Sequence, residues 1–409
     1  MKRVVITGLG CVTPIGSTVP AFEDSLFRGR TGIAPFGLLP EAIEGSNGLR
    51  FNQMASITDF DPDQHLSSGV VGATNRTAQY AVVAARQAAI QSGLMQHHAA
   101  EDVAVILGCS TGGRSSEEAE TAKLYYRNAR VHPLTVTRTM ASAGSSHISI
   151  DLGITGPVFT LSTACASATH AIGLAFQMVR SGMATAALTG GHEAPLTWGF
   201  LRAWDSIRVV SPTSCRPFSV DRDGMTLGEG AAMLAIESLD SALARNAPIY
   251  GEIVGFGMSA DATHITQPQS AGAAMAMRKA LADAGAQPAR VGYINAHGTG
   301  TQANDSVEAA AIHETFADLA PSIPVSSTKG LHGHAMGATG AIEALATVLA
   351  LRAGQLPANA GVTQIDPTLN LDVILGEPRP IDSTRDLALS NSLAFGGLNA
   401  VLAFRRYTE

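Results

Sequence analysis

The sequence predicts an α/β fold made of two tightly packed halves. Three observations carry this. Short apolar runs alternate with helical patterns along the whole chain. Hydrophobic residues make up 45% of the chain and charged residues only 15%, which implies a large buried core. The 409 residues exceed what one hydrophobic core usually holds.

Taken in order, the apolar runs read as buried strands. In the first half they are "RVVITGLG" at the N-terminus, then "VAVILG" (103–108), "VFTLST" (158–163), "AALTGG" (186–191) and "AAMLAIESL" (231–239). A second set comprises "IYGEIVGFG" (249–257), "GYINAHG" (292–298), "IPVSSTK" (323–329), "LALSNSLAFGG" (387–397) and "AVLAFRR" (400–406). Between them lie helical patterns: "RTAQYAVVAARQAAIQSGL", "ATHAIGLAFQMVRSG", "AAMAMRKALADAG" and "IEALATVLALRAG". Several of these end on a glycine stop. Such alternation implies parallel or mixed sheets covered on both faces. The stretch "ESLDSALARNAPIY" (237–250) marks the crossing between halves, placed at 1–245 and 246–409, with loop-rich insertions around 110–140 and 193–230. No exact repeat and no low-complexity linker is visible. Glycines number 42 and aromatics are scarce at 5%, so close backbone packing is expected.

The formal net charge of −7 argues against general nucleic-acid binding. Four cysteines, Cys11, Cys109, Cys165 and Cys215, are widely spaced. They match neither a zinc site nor a disulfide scaffold, and a reduced, cytoplasmic chain is the expectation. The run Val4–Ile6 is too short for a signal sequence, and no stretch offers 18 uninterrupted apolar residues, so no membrane span is expected.

Cys165 stands between a strand pattern, "VFTLSTA", and a helix pattern, "ASATHAIGLAFQMVRSG". In that turn the first amides and dipole of the helix are expected to lower the thiol pKa and sharpen the nucleophile. Small neighbours (Ala164, Ala166, Ser167, Ala168) leave room for a substrate. A free cysteine is more commonly just buried packing, the reading assigned to the other three. His297 opens "HGTGT", a turn-rich loop expected to expose the imidazole beside the hydroxyls of Thr299 and Thr301. Asp305 reads as the N-cap of the helix bearing Glu308. In "SSTKGLHGHAMGATGAIEAL", a strand ends at Lys329 and His334 precedes a helix, with His332 between them. Phe395 precedes Gly396 and Gly397 at a strand-to-turn junction. A thiol, two histidines and a lysine, each at a strand end, suit thiol acyl transfer. They exceed the needs of a Cys/His protease.

With these motifs in this order over essentially the whole chain, the sequence resembles the elongating β-ketoacyl-acyl carrier protein synthases. The resemblance implies the thiolase fold, with two similar halves in five layers, α-β-α-β-α. It implies Cys165 as acyl acceptor, His297 and His334 as the pair that binds the malonyl thioester, and Lys329 as their electrostatic support. Phe395 matches the family's gating phenylalanine, whose backbone N–H completes an oxyanion hole with that of Cys165. Glu308, Thr299, Thr301, Gly396 and Gly397 are supporting residues, and Thr111 is assigned to the wall of the acyl pocket. A monovalent cation is implied near Asn295, Glu308, Glu343 and Asn391, with no metal or organic cofactor required for the chemistry.

Departures exist. The usual "GFGGTN" reads "AFGGLN", with Leu393, Ala394 and Leu398, and His332 replaces the usual Thr or Ser. These variants look closer to specialised synthases of the nodulation and aryl-polyene kinds. A thiolase would carry a second cysteine near its C-terminus, and none follows Cys215. A non-catalytic chain-length partner would lack Cys165. The implied partners are an acyl carrier protein and either a second copy or a related chain-length subunit, paired through "VFTLST". Because carrier proteins are acidic, a basic patch is expected at Lys123, Arg127 and Arg130, with Arg202 and Arg208 nearby.

Overall fold

The first half of the chain forms β1 (Val4–Val12), α1 (Arg76–Ser92), β2 (Val103–Gly108), α2 (Arg114–Arg127), α3 (Ala143–Leu152), β3 (Val158–Leu161), α4 (Ser167–Ser181), β4 (Ala186–Glu193), α5 (Trp198–Ile207) and β5 (Gly230–Ser238). The second half forms β6 (Gly251–Ala260), α6 (Ser270–Asp283), β7 (Val291–Asn295), α7 (Gln302–Phe316), β8 (Pro324–Ser326), α8 (Lys329–His332), α9 (Thr339–Ala353), β9 (Asp372–Val373), β10 (Leu387–Ala394) and β11 (Leu398–Arg405). The structure is a computed structural model and describes residues 1–36 and 48–408.

Eleven strands hydrogen-bond in the order β9-β8-β7-β10-β11-β6-β1-β5-β4-β2-β3. The order contains a duplication. In the first half the opening strand β1 is followed in space by β5, β4, β2 and β3. In the second, β6 is followed by β11, β10, β7 and β8. The pairing senses repeat too: antiparallel, antiparallel, parallel, parallel. The halves meet where β1 and β6 pair antiparallel over Val4–Ile6. The repeat invisible as sequence identity is therefore present as topology.

Helices complete five layers. On one outer face α1 packs on β1, β4 and β5, with α3 beside it, and on the other α6 packs on β6, β10 and β11, with α7 beside it. Between the halves lie α4 and α9, which touch each other and strands of both halves. This is the α-β-α-β-α arrangement of the thiolase fold. Its central layer dictates composition. Helix α9 is buried from Thr339 to Leu351, so it is apolar all round. The segment Met336–Ala353 has a mean hydropathy of 1.3 and is long and apolar enough to cross a membrane. It is 89% buried inside the protein, as a core helix.

The glycine richness has a local cause. A Cβ on Gly8 or Gly10 of β1 would lie 2.2 or 2.0 Å from the carbonyl oxygens of Ala88 and Ala84 in α1. A Cβ on Gly255 or Gly257 of β6 would lie 2.2 or 2.1 Å from those of Ala280 and Ala276 in α6. Each half thus seats an outer-layer helix, α1 or α6, on its first strand by the same Gly-x-Gly device.

The stretches read as loop-rich contain α2, a short helix at Thr135–Thr139, and α5. Polarity conceals α2 and the short helix, whereas α5, which buries Phe200 and Leu201, lies within a stretch that reads as loop-rich. Helix α2 buries only Ser116 and Glu120, so no apolar stripe marks it.

Candidate active site

Cys165 lies between β3 and α4. Ala164 takes a left-handed backbone, φ 50°, and turns the chain so that Cys165 faces the site. Ser167 locks the turn: its hydroxyl donates to the Ala164 carbonyl at 2.6 Å and accepts the Thr163 N–H at 2.8 Å. Burial pushes the Cys165 thiol up to about 11. Lys329 and the backbone N–H groups of Phe395 and Cys165 pull the other way and do not outweigh it. The expected lowering of the thiol pKa is therefore corrected. A helix start stabilises a thiolate, but desolvation is the larger effect at this depth.

His334 comes from the turn between α8 and α9. Its N–H donates to the Thr226 carbonyl at 2.7 Å, and its carbonyl accepts the Gly228 N–H at 2.9 Å. Both backbone groups are thus pinned to the strand-like segment before β5. Its Nε2 lies 3.1 Å from Cys165 Sγ, and its Nδ1 lies 2.9 Å from Thr339 Oγ1, at the start of α9. The Thr339 hydroxyl can donate or accept, so it supports either imidazole tautomer.

His297 follows β7 and is 2% exposed, so the expected exposure of its ring is also corrected. The loop folds inward because Glu308 of α7 accepts the N–H groups of His297 and Gly298, each at 2.8 Å. The rings of His297 and His334 meet edge-on at 5.4 Å. Lys329 Nζ lies 3.3 Å from His297 Nδ1 and also contacts the His297 carbonyl and the Glu343 carboxylate. An ammonium only donates, so His297 Nδ1 accepts and the ring proton sits on Nε2. Burial, then the Lys329 charge, holds both histidines well below the ordinary imidazole range, so both are neutral. Glu343 is pushed up by burial to about 7, against the pull of Lys329.

Two local readings need adjustment. Strand β8 ends at Ser326, and Lys329 opens the short helix α8. The N-cap of α7 is Thr301, which accepts from Asn304 N–H. Asp305 lies inside the first turn instead and accepts the Phe218 N–H at 2.7 Å. His332 is buried, with Nε2 2.9 Å from Thr328 Oγ1 and Nδ1 2.8 Å from the Gly333 carbonyl, and does not reach the cavity.

A cavity of about 420 Å³ runs from an exposed rim to these groups. Its floor is Cys165, His297, His334 and Phe395, and its wall includes Thr299 and Thr301, whose hydroxyls are 2.9 Å apart. Phe395 sits in the β10–β11 hairpin, where Gly396 and Gly397 take φ 86° and 68°. Its ring stacks on Trp204 of α5 at 5.7 Å and 23°.

Thr111 does not line this cavity. Its hydroxyl and N–H both donate to Glu193, which also accepts from Ser110 and Gly337. Lys123 pairs with Glu120 at 2.5 Å, while Arg127 and Arg130 are exposed and none of the three lines the cavity. Around Asn295, Glu308, Glu343 and Asn391, four buried oxygens have no hydrogen-bond partner among the described residues: Asn295 Oδ1, Glu343 Oε2, Asn391 Oδ1 and Ser390 Oγ. No group of three or more His, Cys, Asp or Glu side chains suited to a metal ion occurs among the described residues.

Sequence reasoning missed Trp204, Thr339 and Glu193. Trp204 was legible only as one of two tryptophans. Nothing local distinguishes Thr339 or Glu193, because their partners come from distant segments.

Comparison with known proteins agrees with this arrangement. Residues 1–242 match the beta-ketoacyl synthase N-terminal domain, and residues 250–363 match the beta-ketoacyl synthase C-terminal domain. The chain is 40% identical over 407 residues to Nodulation protein E of Rhizobium meliloti, covering 99% of both chains. It is 40% identical over 416 residues to 3-oxoacyl-[acyl-carrier-protein] synthase 2 of Synechocystis sp., covering 99% of this chain and 98% of that one. Among solved structures, the ishigamide ketosynthase/chain length factor superposes with a TM-score of 0.93 at 33% identity, over the whole of both chains. The chain belongs to the beta-ketoacyl synthase family.

Proposed function

We propose that the protein catalyses the decarboxylative condensation of an acyl chain, held on Cys165, with malonyl-acyl carrier protein, giving a 3-oxoacyl-acyl carrier protein. The observation that carries this is the placement of two neutral histidines beside one thiol, with Lys329 fixing the proton of His297 on Nε2.

In the first half-reaction Cys165 Sγ attacks an acyl thioester. Its proton passes to His334 Nε2, 3.1 Å away, and then to the departing pantetheine thiolate. In the second, with His334 now in its Nε2–H tautomer and Nδ1 accepting from the Thr339 hydroxyl, the malonyl C–C bond breaks, CO₂ leaves, and the electron pair forms an enolate whose oxygen accepts from Nε2–H of His297 and His334. The enolate carbon attacks the acyl-Cys165 carbonyl, the C–S bond breaks, and the Cys165 thiolate takes a proton from water, replacing the one that left with the pantetheine thiol. The oxyanion between these steps accepts from the backbone N–H groups of Cys165 and Phe395, both directed at the sulfur region. Each such donor is worth roughly 3 kcal/mol of barrier.

Thr299 and Thr301 hydrogen-bond the pantetheine arm on the cavity wall, and Gly396 and Gly397 give Phe395 its freedom. Arg127, Arg130 and Lys123 form the carrier-protein patch. The donor set at Asn295, Glu343 and Asn391, a carboxylate with neutral carbonyl oxygens left unpaired, suits a monovalent cation with Glu308 at its border. Such an ion would add positive charge beside Glu343. The catalytic groups divide between halves 1–245 and 246–409. The named relatives support work in fatty-acid or specialised acyl-chain synthesis, and the ishigamide ketosynthase/chain length factor supports pairing with a chain-length-factor-like subunit; a second copy of the chain is the other partner we propose, and the cytoplasm the place of work.

Mass measurement of the protein incubated with a series of acyl-carrier proteins tests this reading. An acyl adduct on Cys165, discharged as a 3-oxoacyl product only when malonyl-carrier protein is added, is expected. Condensation that persists in Cys165→Ala would overturn it.

A further inference from the structure

The floor of the cavity is buried, but its rim is built from exposed residues, among them Ile207, Arg208, His264, Ile265 and Gln302. Arg208 is the sole lysine or arginine in the lining. It has no ion-pair partner among the described residues, although two carboxylates are close in sequence or space. Asp205 is engaged by Arg50 at 3.0 Å and Arg202 at 3.7 Å, and Asp223, the only carboxylate in the lining, by Arg216 at 3.3 Å and the Ser211 hydroxyl at 2.6 Å.

The backbone of Arg208 is a second, independent observation. It is the C-cap of α5 with φ 62° and ψ 37°. This left-handed position normally belongs to glycine or asparagine, and a long side chain there costs about 1 kcal/mol or more. The helix thus ends on a residue that is locally unfavourable, without an ion-pair partner among the described residues, and turned to the rim of the cavity that leads to Cys165.

We propose that Arg208 binds the phosphodiester of the phosphopantetheine arm as the acyl donor enters. This rests on the condensation reading and adds a phosphate subsite at the outer end of the channel. The arm then has three anchor points along the cavity: its thioester at Cys165, its amides at Thr299 and Thr301, and its phosphate at Arg208. A guanidinium suits a phosphodiester because it donates two parallel hydrogen bonds to two phosphate oxygens.

The test measures acylation of Cys165 from three donors of one acyl group: the pantetheine thioester, the phosphopantetheine thioester and the acyl-carrier protein. Arg208→Gly removes the charge while relieving the left-handed backbone, so the variant folds at least as stably, which a melting curve checks. It is expected to lower kcat/KM about tenfold for the two phosphorylated donors and to leave the pantetheine thioester unchanged. Arg208→Lys should recover part of the loss. Equal loss on all three donors would make Arg208 a wall residue, loss on the carrier protein alone would make it a contact for carrier carboxylates, and no loss would remove it from the site. Each of these overturns the phosphate subsite. A wild-type protein that acylates Cys165 from none of the donors overturns the condensation reading itself, and the subsite with it.

Discussion

Cys165, His334, His297 and Lys329 form a chain of contacts in which each charge state follows from the next. The Cys165 thiol is pushed up to about 11, so it is protonated at neutral pH and its thiolate fraction grows tenfold with each pH unit below that value. Alkylation of Cys165 by iodoacetamide is therefore expected to accelerate about tenfold per pH unit between roughly pH 6 and pH 9 with no plateau. A plateau near neutrality would mean that His334 or the helix start already holds a thiolate. The Lys329–Glu343 pair invites a different measurement. Both side chains are fully buried, so Lys329→Met leaves a carboxylate without its cation, at a cost of about 3–5 kcal/mol. Glu343 sits at about 7 with Lys329 present, above its ordinary 4.5, and climbs further without it. A raised carboxyl pKa favours the fold when protonated, so stability is lost as pH rises from the unfolded value through the folded one. The variant should thus fall furthest behind wild type above pH 7, and Glu343→Gln in the same chain should recover most of the loss. Denaturation curves at pH 5 and pH 8 check both statements; a pH-independent deficit would contradict them.

At the scale of elements, the site is assembled from the ends of strands that the duplicated topology brings together at the central layer. Cys165 follows β3 and His297 follows β7. Strand β8 leads to Lys329 and His334, and β10 to Phe395. The same layer sets the packing demands on β1 and β6, whose glycines admit α1 and α6. Gly10→Ala and Gly257→Ala would each drive a Cβ to about 2 Å from a helix carbonyl, Ala84 in the first case and Ala276 in the second. Each should destabilise by about 1–3 kcal/mol, the usual cost of overpacking. Because the two positions are topological equivalents, comparable drops in melting temperature are expected. A drop at one and none at the other would break the equivalence.

For the whole molecule, the outstanding feature is an edge. Strand β3 closes one end of the sheet, pairs only with β2 among the described residues, and is half-buried at every residue. Apolar side chains stand in water on the elements next to it: Ile150 of α3, which packs on β3, is 74% exposed, and Val136, in the short helix that touches α3, is 75% exposed. An apolar edge strand with such neighbours invites pairing with another chain. Joining it to its copy about a two-fold axis removes the edge and covers those side chains. Light scattering of the chain expressed alone is expected to give a dimer. Insolubility relieved by a co-expressed chain-length-type subunit would identify a heterodimer, and a stable, active monomer would rule out both.

The sequence by itself determined ten of the eleven strands of the sheet, the principal helices and the five groups of the site. Cys165, His297, Lys329, His334 and Phe395 each stand at a switch from apolar run to glycine or small residue, and such switches are written locally in the chain. It did not give the cap helices, since α2 has no apolar stripe; the two similar halves followed from the family resemblance, not from any visible repeat, because topology does not require identical residues. Only the tertiary structure decided the electrostatics. The thiol is high because the site is dry, the histidines are neutral because they are buried beside Lys329, and Glu343 is raised although it holds a cation. Desolvation and Coulomb interaction depend on which groups from distant segments surround a charge and how much water they exclude. The order of residues fixes where a thiol or an imidazole stands in the fold; the packing around it fixes whether it carries its proton.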